Sequence, residues 1–225
     1  PFTTSTLQQE ASRKLGFVTK RTMSVAQGLY EGVEIKGHGS VGLITYMRTD
    51  SLRISHEAGV AAKAYLRQNF EKEYIPSYMP QYKTKKNAQD AHEAIRPTDV
   101  FLTPAIVKDS LKPEQYKLYK LIWERFVASQ MTSAVYDTSN AVIDAGGYVF
   151  KASGSRLKFA GFTKIYEEGT DEVKDKESKL PELTEGETLE VKEITPKQNF
   201  TAPPSRYTEA SLIKEMESLG IGRPS

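Results

Sequence analysis

The sequence contains no cysteine among its 225 residues. This absence excludes disulfides, thiolate nucleophiles and cysteine-ligated zinc within the chain. Its three histidines, His38, His56 and His92, are too scattered to suggest a metal cage, so we expect no metal site here. The sequence also lacks an apolar run of the roughly 18 residues that a membrane span needs, and it has no secretory start. We therefore expect no membrane partner and a cytoplasmic location.

Neither sign of charge dominates the chain, whose net charge is +2. The basic residues are nevertheless unevenly spread. Residues 1–128 hold 19 Lys and Arg against 13 Asp and Glu, whereas residues 129–200 hold 9 against 13. The excess of positive charge in the first half would favour binding of a polyanion. Charge alone therefore leaves DNA as one possible partner among several.

Local signals divide the chain into helical and strand-rich parts. Helix starts are predicted at capping residues and at one proline: Ser5, Thr22, Ser55, Pro113 and Thr208. From Met131 onward the pattern changes to strands, with a hairpin turn at Gly146–Gly147 and a further strand-like run, ETLEVKEIT, at 187–195. These patterns predict an α+β fold with a helical first part, a strand-rich part after Met131 and a return to helix near the end.

The segment GLITYMRTDS, residues 42–51, is the most informative for chemistry. A strand-like apolar run leads to Tyr46, and in an extended segment Arg48 would point to the same face. A neighbouring permanent cation favours the ionised phenol and can contact a phosphate through paired donors. Phosphodiester cleavage needs both a nucleophile and positive charge at the phosphorus. However, the chain has 12 tyrosines, and most tyrosines pack at the edge of a core, so spacing alone leaves both interpretations open.

Two further segments carry candidate DNA contacts. In QDAHEAIRPTD, residues 89–99, His92 and Arg96 would share one face of a helix that Pro97 ends. In PPSRYTEASLIKEMESLGIGRP, residues 203–224, Arg206 precedes a helix that Thr208 caps, and the amides of such a helix start can face a phosphate. From the residues alone, a helix-end histidine paired with Glu93 or Asp90 is the preferred explanation of the first pattern. An ordinary amphipathic helix explains the second pattern as well as a DNA contact does.

Taken together, these blocks resemble the bacterial type IA DNA topoisomerases, of which bacterial DNA topoisomerase I is an example. The resemblance rests on PFTTSTLQQEASRKLGF, LITYMRTDS, AHEAIRPTD and PPSRYTEASLIKEMESLGIGRPS, which occur in that family's order over essentially the whole chain. It implies that residues 1–129 form a helical domain carrying the tyrosine. Residues 130–198 would be part of a β-rich arch, and 199–225 the start of a further helical base domain. Because the sequence begins without an initiator methionine and stops at IGRPS, we expect a central piece of a longer enzyme.

The resemblance also implies a reaction and a set of site residues. Tyr46 would attack one DNA strand and become linked to its 5′-phosphate, Arg48 would contact the scissile phosphate, and religation after strand passage would relax negative supercoils without ATP. The remaining implied site residues lie near bound single-stranded DNA: His92, Arg206, Thr208, Asp50, Arg96 and Arg223.

The family's acidic Mg²⁺-binding domain has no counterpart in this sequence. We therefore expect the chain to bind no metal itself, to require that N-terminal domain as a partner, and to be inactive alone in supercoil relaxation. One alternative is a single-stranded DNA-binding module without chemistry. Another is a tyrosine recombinase or type IB enzyme, which would be linked to the 3′-phosphate.

Overall fold

The computed structural model describes residues 1–82, 92–171 and 180–221, which fall into two compact units. The first takes its described residues from Pro1–Ala134, Ala160–Glu172 and Tyr207–Ser225, and the second from Val135–Phe159 and Val173–Arg206. The mixture of helix and strand agrees with the predicted α+β class. The division into domains at 1–129, 130–198 and 199–225 stays a prediction. The compact units have different bounds because the chain returns to the first unit twice.

Helices build the first unit. Its α-helices in the described residues are α1 (Thr4–Leu15), α2 (Thr19–Glu31), α3 (His56–Asn69), α4 (Pro104–Val107), α5 (Pro113–Ser129) and α6 (Glu209–Ser218). Short 3₁₀ turns lie at Lys72–Tyr74, Lys108–Ser110 and Gly161–Lys164. No helix in these parts of the chain is both long and apolar enough to cross a bilayer.

Three of the predicted helix starts are confirmed because their caps are local. Ser55 accepts a hydrogen bond from the amide of Ala58 at the start of α3. Pro113 is the first residue of α5, where its missing amide proton costs nothing. Thr208 caps α6 through the amide of Ser211.

The predicted caps Ser5 and Thr22 are wrong. Thr3 caps α1 instead, through a reciprocal pair of hydrogen bonds with Thr6. Helix α2 starts after Val18, so Thr22 lies buried inside the helix and its hydroxyl donates to the carbonyl of Val18. Valine has no side-chain acceptor, and a distant residue supplies one.

Glu209 of α6 takes the capping role at the start of α2. Its carboxylate accepts hydrogen bonds from both the amide and the hydroxyl of Thr19, each at 2.6 Å. These bonds lower the pKa of the Glu209 carboxyl below its ordinary value. At the other end of α6, Glu217 accepts a hydrogen bond from Ser5 at 2.9 Å. Helix α6 is therefore docked on the starts of α1 and α2.

Helix α5 provides the centre of the core. Its predicted apolar face is buried, as expected from residues at helical spacing: Tyr119, Ile122, Trp123 and Phe126. The two polar atoms on this face have partners, since the Tyr119 hydroxyl donates to the carbonyl of Leu102 and the Trp123 indole to that of Val100. Burial raises the pKa of the Tyr119 phenol.

Two antiparallel hairpins complete the described structure. In the first unit, β1 (Val33–Ile35) pairs with β2 (Gly39–Val41) between α2 and the segment that leads to Tyr46. In the second unit, β3 (Val135–Ala145) pairs with β4 (Tyr148–Phe159), which confirms the predicted hairpin. Its turn residues Gly146 and Gly147 have φ of 62° and 87°. A two-residue hairpin loop of type I′ requires such positive φ values at both central residues.

The strand predicted at 187–195 is wrong. Those residues belong to no strand, and their apolar side chains Leu189, Val191 and Ile194 are exposed. Alternating polarity specifies a strand when one face has something to pack against. Within the described residues no strand pairs with this run, so its alternating polarity does not specify a strand here.

Candidate active site around Tyr46

The segment that leads to Tyr46 is attached to the end of α2. The amide of Leu43 donates to the carbonyl of Leu29 at 2.8 Å. At Gly42 the two backbones come so close that a Cβ there would lie 2.7 Å from the carbonyl oxygen of Tyr30. Glycine is therefore required at 42 for a steric reason, and the approach to Tyr46 has little freedom relative to α2.

The strand-like run predicted to lead to Tyr46 does not form a strand. Ile44 makes a single bridge with Pro97, and the backbone bends at Met47–Arg48. Because of this bend, Tyr46 and Arg48 are not alternate residues of one strand, and the argument from strand periodicity fails. Tyr46 is half-buried, whereas Arg48 is exposed.

Thr4, at the start of α1, fixes the bend. Its hydroxyl donates to the carbonyl of Met47 at 2.8 Å and accepts from the amide of Thr49 at 2.8 Å, while its own amide donates to the carbonyl of Thr49. The Thr49 hydroxyl in turn accepts from the amide of Ser51. All three of these hydroxyl-bearing residues are buried. The loop after Tyr46 is thus held by paired hydrogen bonds rather than by a strand.

The predicted helix around His92 is also wrong for residues 92–96, and residues 89–91 lie outside the described residues. Residues 92–97 form no helix and instead pass between the segments that contain Phe2 and Thr45. The amide of Ile95 donates to the carbonyl of Phe2, and the carbonyl of Arg96 accepts from the amide of Thr45, both at 2.9 Å. Proline disfavours helical geometry in the residue before it, and the two flanking segments supply the partners that an extended chain needs.

This extended segment places His92 against the candidate nucleophile. The ring centroids of Tyr46 and His92 lie 5.0 Å apart with an interplanar angle of 34°. On another side, the ring of Tyr30 meets that of Tyr46 edge-on, at 5.5 Å and 69°. Such aromatic pairs each contribute about 0.5–1.5 kcal/mol beyond burial. Within residues 1–82, 92–171 and 180–221 the Tyr46 hydroxyl has no hydrogen-bond partner.

The two arginines near Tyr46 differ in availability. Arg96 is paired with Glu93, with a nitrogen–oxygen distance of 2.7 Å, and also donates to the carbonyl of Pro97; only 11% of its side chain is exposed. Arg48 is exposed and makes no ion pair with any acid that the structure describes. Within the described residues the Arg48 guanidinium is therefore not held by an acid, whereas that of Arg96 is engaged locally. The roles predicted for His92, Arg48 and Arg96 toward DNA stay predictions.

The remaining predicted site residues have different surroundings. Asp50 is half-buried in the loop that follows Tyr46. Thr208 is exposed where it caps α6, and Arg206 is an exposed residue of the second unit. Arg223 lies outside the described residues. The DNA-binding roles of all four stay predictions.

Sequence reasoning misses two residues on which this geometry depends, Tyr30 and Thr4. Tyr30 lies 16 positions before Tyr46, with a whole hairpin between them, and no spacing rule connects the two. Thr4 follows Thr3, which is the N-cap of α1. The capping pattern at Ser5 predicts a later helix start and so misses both threonines. A correct cap at Thr3 would place Thr4 in the first helical turn, but its side-chain bonds to residues 47 and 49 have no local signature.

The described residues do not provide a metal site. No three His, Cys, Asp or Glu side chains in residues 1–82, 92–171 and 180–221 come together in a way that could hold an ion.

Comparison with known proteins gives two findings. A DNA topoisomerase family model matches residues 1–225. Among solved structures, full-length topoisomerase I from Thermotoga maritima is similar, with a TM-score of 0.76 and 42% sequence identity. That match covers 100% of this chain and 35% of the Thermotoga chain, so this chain spans about a third of the length of its relative.

Proposed function

The chain belongs to the DNA topoisomerase family, and from that membership we propose that it carries the nucleophilic tyrosine of a bacterial type IA enzyme. The observation that supports this proposal is the state of Tyr46. Its ring is fixed by two neighbouring rings, its hydroxyl lacks a partner within the described residues, and the exposed Arg48 follows two positions later.

In the proposed reaction the phenolic oxygen of Tyr46 attacks a backbone phosphorus of one DNA strand. A bond forms between that oxygen and phosphorus, and the bond from phosphorus to the 3′-oxygen breaks. The phenol gives up its proton, and the 3′-oxygen leaves as a hydroxyl after taking one up. The Arg48 guanidinium stabilises the charge that gathers on the phosphate oxygens.

Religation reverses these steps. The free 3′-hydroxyl attacks the phosphotyrosine, and the phenol is the leaving group. One phosphodiester is exchanged for another, so no ATP is consumed. Passage of the other strand between the two steps would relax negative supercoils. The substrates that we propose are accordingly single-stranded and negatively supercoiled DNA.

Supercoil relaxation would belong to a longer enzyme. We propose that an acidic N-terminal domain of the longer enzyme holds Mg²⁺ and completes the site, since this chain spans about a third of the length of its topoisomerase I relative. The chain alone is then expected to present the nucleophile without relaxing DNA, and relaxation by the isolated chain with Mg²⁺ would contradict this.

The decisive experiment uses an end-labelled single-stranded oligonucleotide, Mg²⁺, and the chain with and without a separately made acidic domain. We expect a denaturant-resistant protein–DNA adduct only in the complete mixture, and none with Tyr46→Phe. A free 3′-hydroxyl on the cleaved strand is expected for the type IA linkage, whereas a free 5′-hydroxyl would indicate a type IB or recombinase-like enzyme. If both parts fold and bind DNA but no adduct forms, the chain is a DNA-binding module without chemistry.

A further inference from the structure

Tyr30 contacts the Tyr46 ring directly, yet it has no part in the bond-making and bond-breaking steps of the proposed reaction. We propose that Tyr30 is a positioning residue, whose ring holds the Tyr46 phenol in the orientation from which it attacks phosphorus. This inference rests on the proposed function of Tyr46. The geometry that supports it is the edge-on contact at 5.5 Å and 69° between the two rings.

The direction of a tyrosine hydroxyl is set by the two torsions that orient its ring. His92 meets the Tyr46 ring with a tilt of 34°, and Tyr30 meets it at 69°. Contacts at two different inclinations restrict rotation of the ring more than either does alone. Loss of one ring would leave Tyr46 with further rotamers, most of which direct its oxygen away from a productive line of attack.

The backbone around Tyr30 suits such a role. The Tyr30 carbonyl is in close contact with Gly42, and the neighbouring Leu29 carbonyl accepts from the amide of Leu43. Tyr30 is therefore fixed to the same short segment that delivers Tyr46. The residue is 40% exposed and lies outside the buried core, so replacing its ring perturbs the core less than replacing a fully buried aromatic residue would.

The test uses the complete enzyme that carries this chain. Tyr30→Leu removes the ring, and Tyr30→Phe keeps it without the hydroxyl. The rate of adduct formation is measured in a single turnover with saturating labelled oligonucleotide, and the dissociation constant of the same oligonucleotide is measured by fluorescence anisotropy. Tyr65→Leu serves as the matched control, because Tyr65 also meets two rings edge-on, those of Phe101 and Trp123.

A positioning role predicts a loss in rate without a loss in binding. Tyr30→Leu should lower the adduct rate by about tenfold or more, since small misplacements of reacting groups are costly. The dissociation constant of Tyr30→Leu should stay within roughly twofold of the parent's. The adduct rate of Tyr30→Phe should also stay within roughly twofold of the parent's, because the ring is kept. Tyr65→Leu should lower the melting temperature while leaving the adduct rate near that of the parent.

Other outcomes would overturn the inference. A parental adduct rate in Tyr30→Leu removes the positioning role, and an equal defect in Tyr30→Phe shifts it to the hydroxyl. Should Tyr30→Leu fail to fold, Tyr30→Met fills the same space with a flexible side chain and carries the same expectation. A surviving adduct in Tyr46→Phe would instead refute the proposed function, so the two failures are distinguishable.

Discussion

Gly42→Ala is the substitution whose effect follows most directly from the geometry of the site. The added Cβ would lie 2.7 Å from the Tyr30 carbonyl oxygen, whereas ordinary contact begins at 3.4 Å, so the two segments must separate by about 0.7 Å. Neither atom belongs to a flexible side chain that could move aside. Overpacking of this kind costs about 1–3 kcal/mol, and the separation would also stretch the hydrogen bond between Leu43 and Leu29.

Gly28→Ala is the matched control for this substitution. It makes the same chemical change inside α2, two positions before Tyr30, but its Cβ would lie at an ordinary 3.5 Å from the Gln115 amide nitrogen. Replacing a helix-interior glycine by alanine stabilises by up to about 1 kcal/mol. The two substitutions should therefore shift stability in opposite directions.

Both variants can be assayed by urea unfolding followed through fluorescence. Trp123 is the single tryptophan of the chain and is buried in the first unit, so its emission reports that unit. We expect Gly42→Ala to unfold at lower urea than the parent and to form the Tyr46 adduct more slowly in the complete enzyme. A parental midpoint together with a parental adduct rate would refute the close approach of residues 30 and 42.

Three further substitutions test other parts of the first unit. Thr4→Val removes the hydroxyl bonded to Met47 and Thr49, so it should lower the free energy of unfolding by about 1–3 kcal/mol, whereas Thr4→Ser should stay near the parent in the same urea assay. Burial raises the pKa of the Tyr166 phenol, which means that its contribution to stability is complete below the unfolded pKa of about 10 and is lost as pH rises above it. Across that alkaline range, unfolding free energies measured at several pH values should fall by about 1.4 kcal/mol per pH unit more steeply in the parent than in Tyr166→Phe; equal slopes would contradict this. Ser55→Ala should cost about 1 kcal/mol through the lost cap of α3, and Ser55→Asp should restore it; an unchanged midpoint in Ser55→Ala would show that the cap contributes nothing.

The sequence predicts the parts of the fold that depend on neighbouring residues. Ser55, Pro113 and Thr208 begin helices because a cap or a proline acts within one turn. The hairpin at Gly146–Gly147 is equally local. By contrast, the cap of α2 comes from Glu209, 190 positions away along the chain, and no pattern around Thr19 could reveal it.

The candidate site shows the same division. Family resemblance predicts Tyr46 and Arg48 as site residues. The strand periodicity that would have put their side chains on one face does not apply, because the chain bends between them where Thr4 is hydrogen-bonded to Met47 and Thr49. From residue 92 onward the helix predicted around His92 is absent. His92 contacts the Tyr46 ring from a segment whose backbone is hydrogen-bonded to two distant stretches of chain. Contacts between segments remote in sequence decide this site, and one sequence without structure does not reveal them.

The attachment of α2 at both ends has a mechanical consequence. Its first residue is hydrogen-bonded to Glu209, and its end bears Tyr30 against the Tyr46 ring. A helix of 13 residues is a stiff rod of about 20 Å. A force that tilts α6 away from Thr19 would therefore act on one end of this rod and shift the Tyr30 ring at the other end, which would move the Tyr46 ring without any direct contact with it.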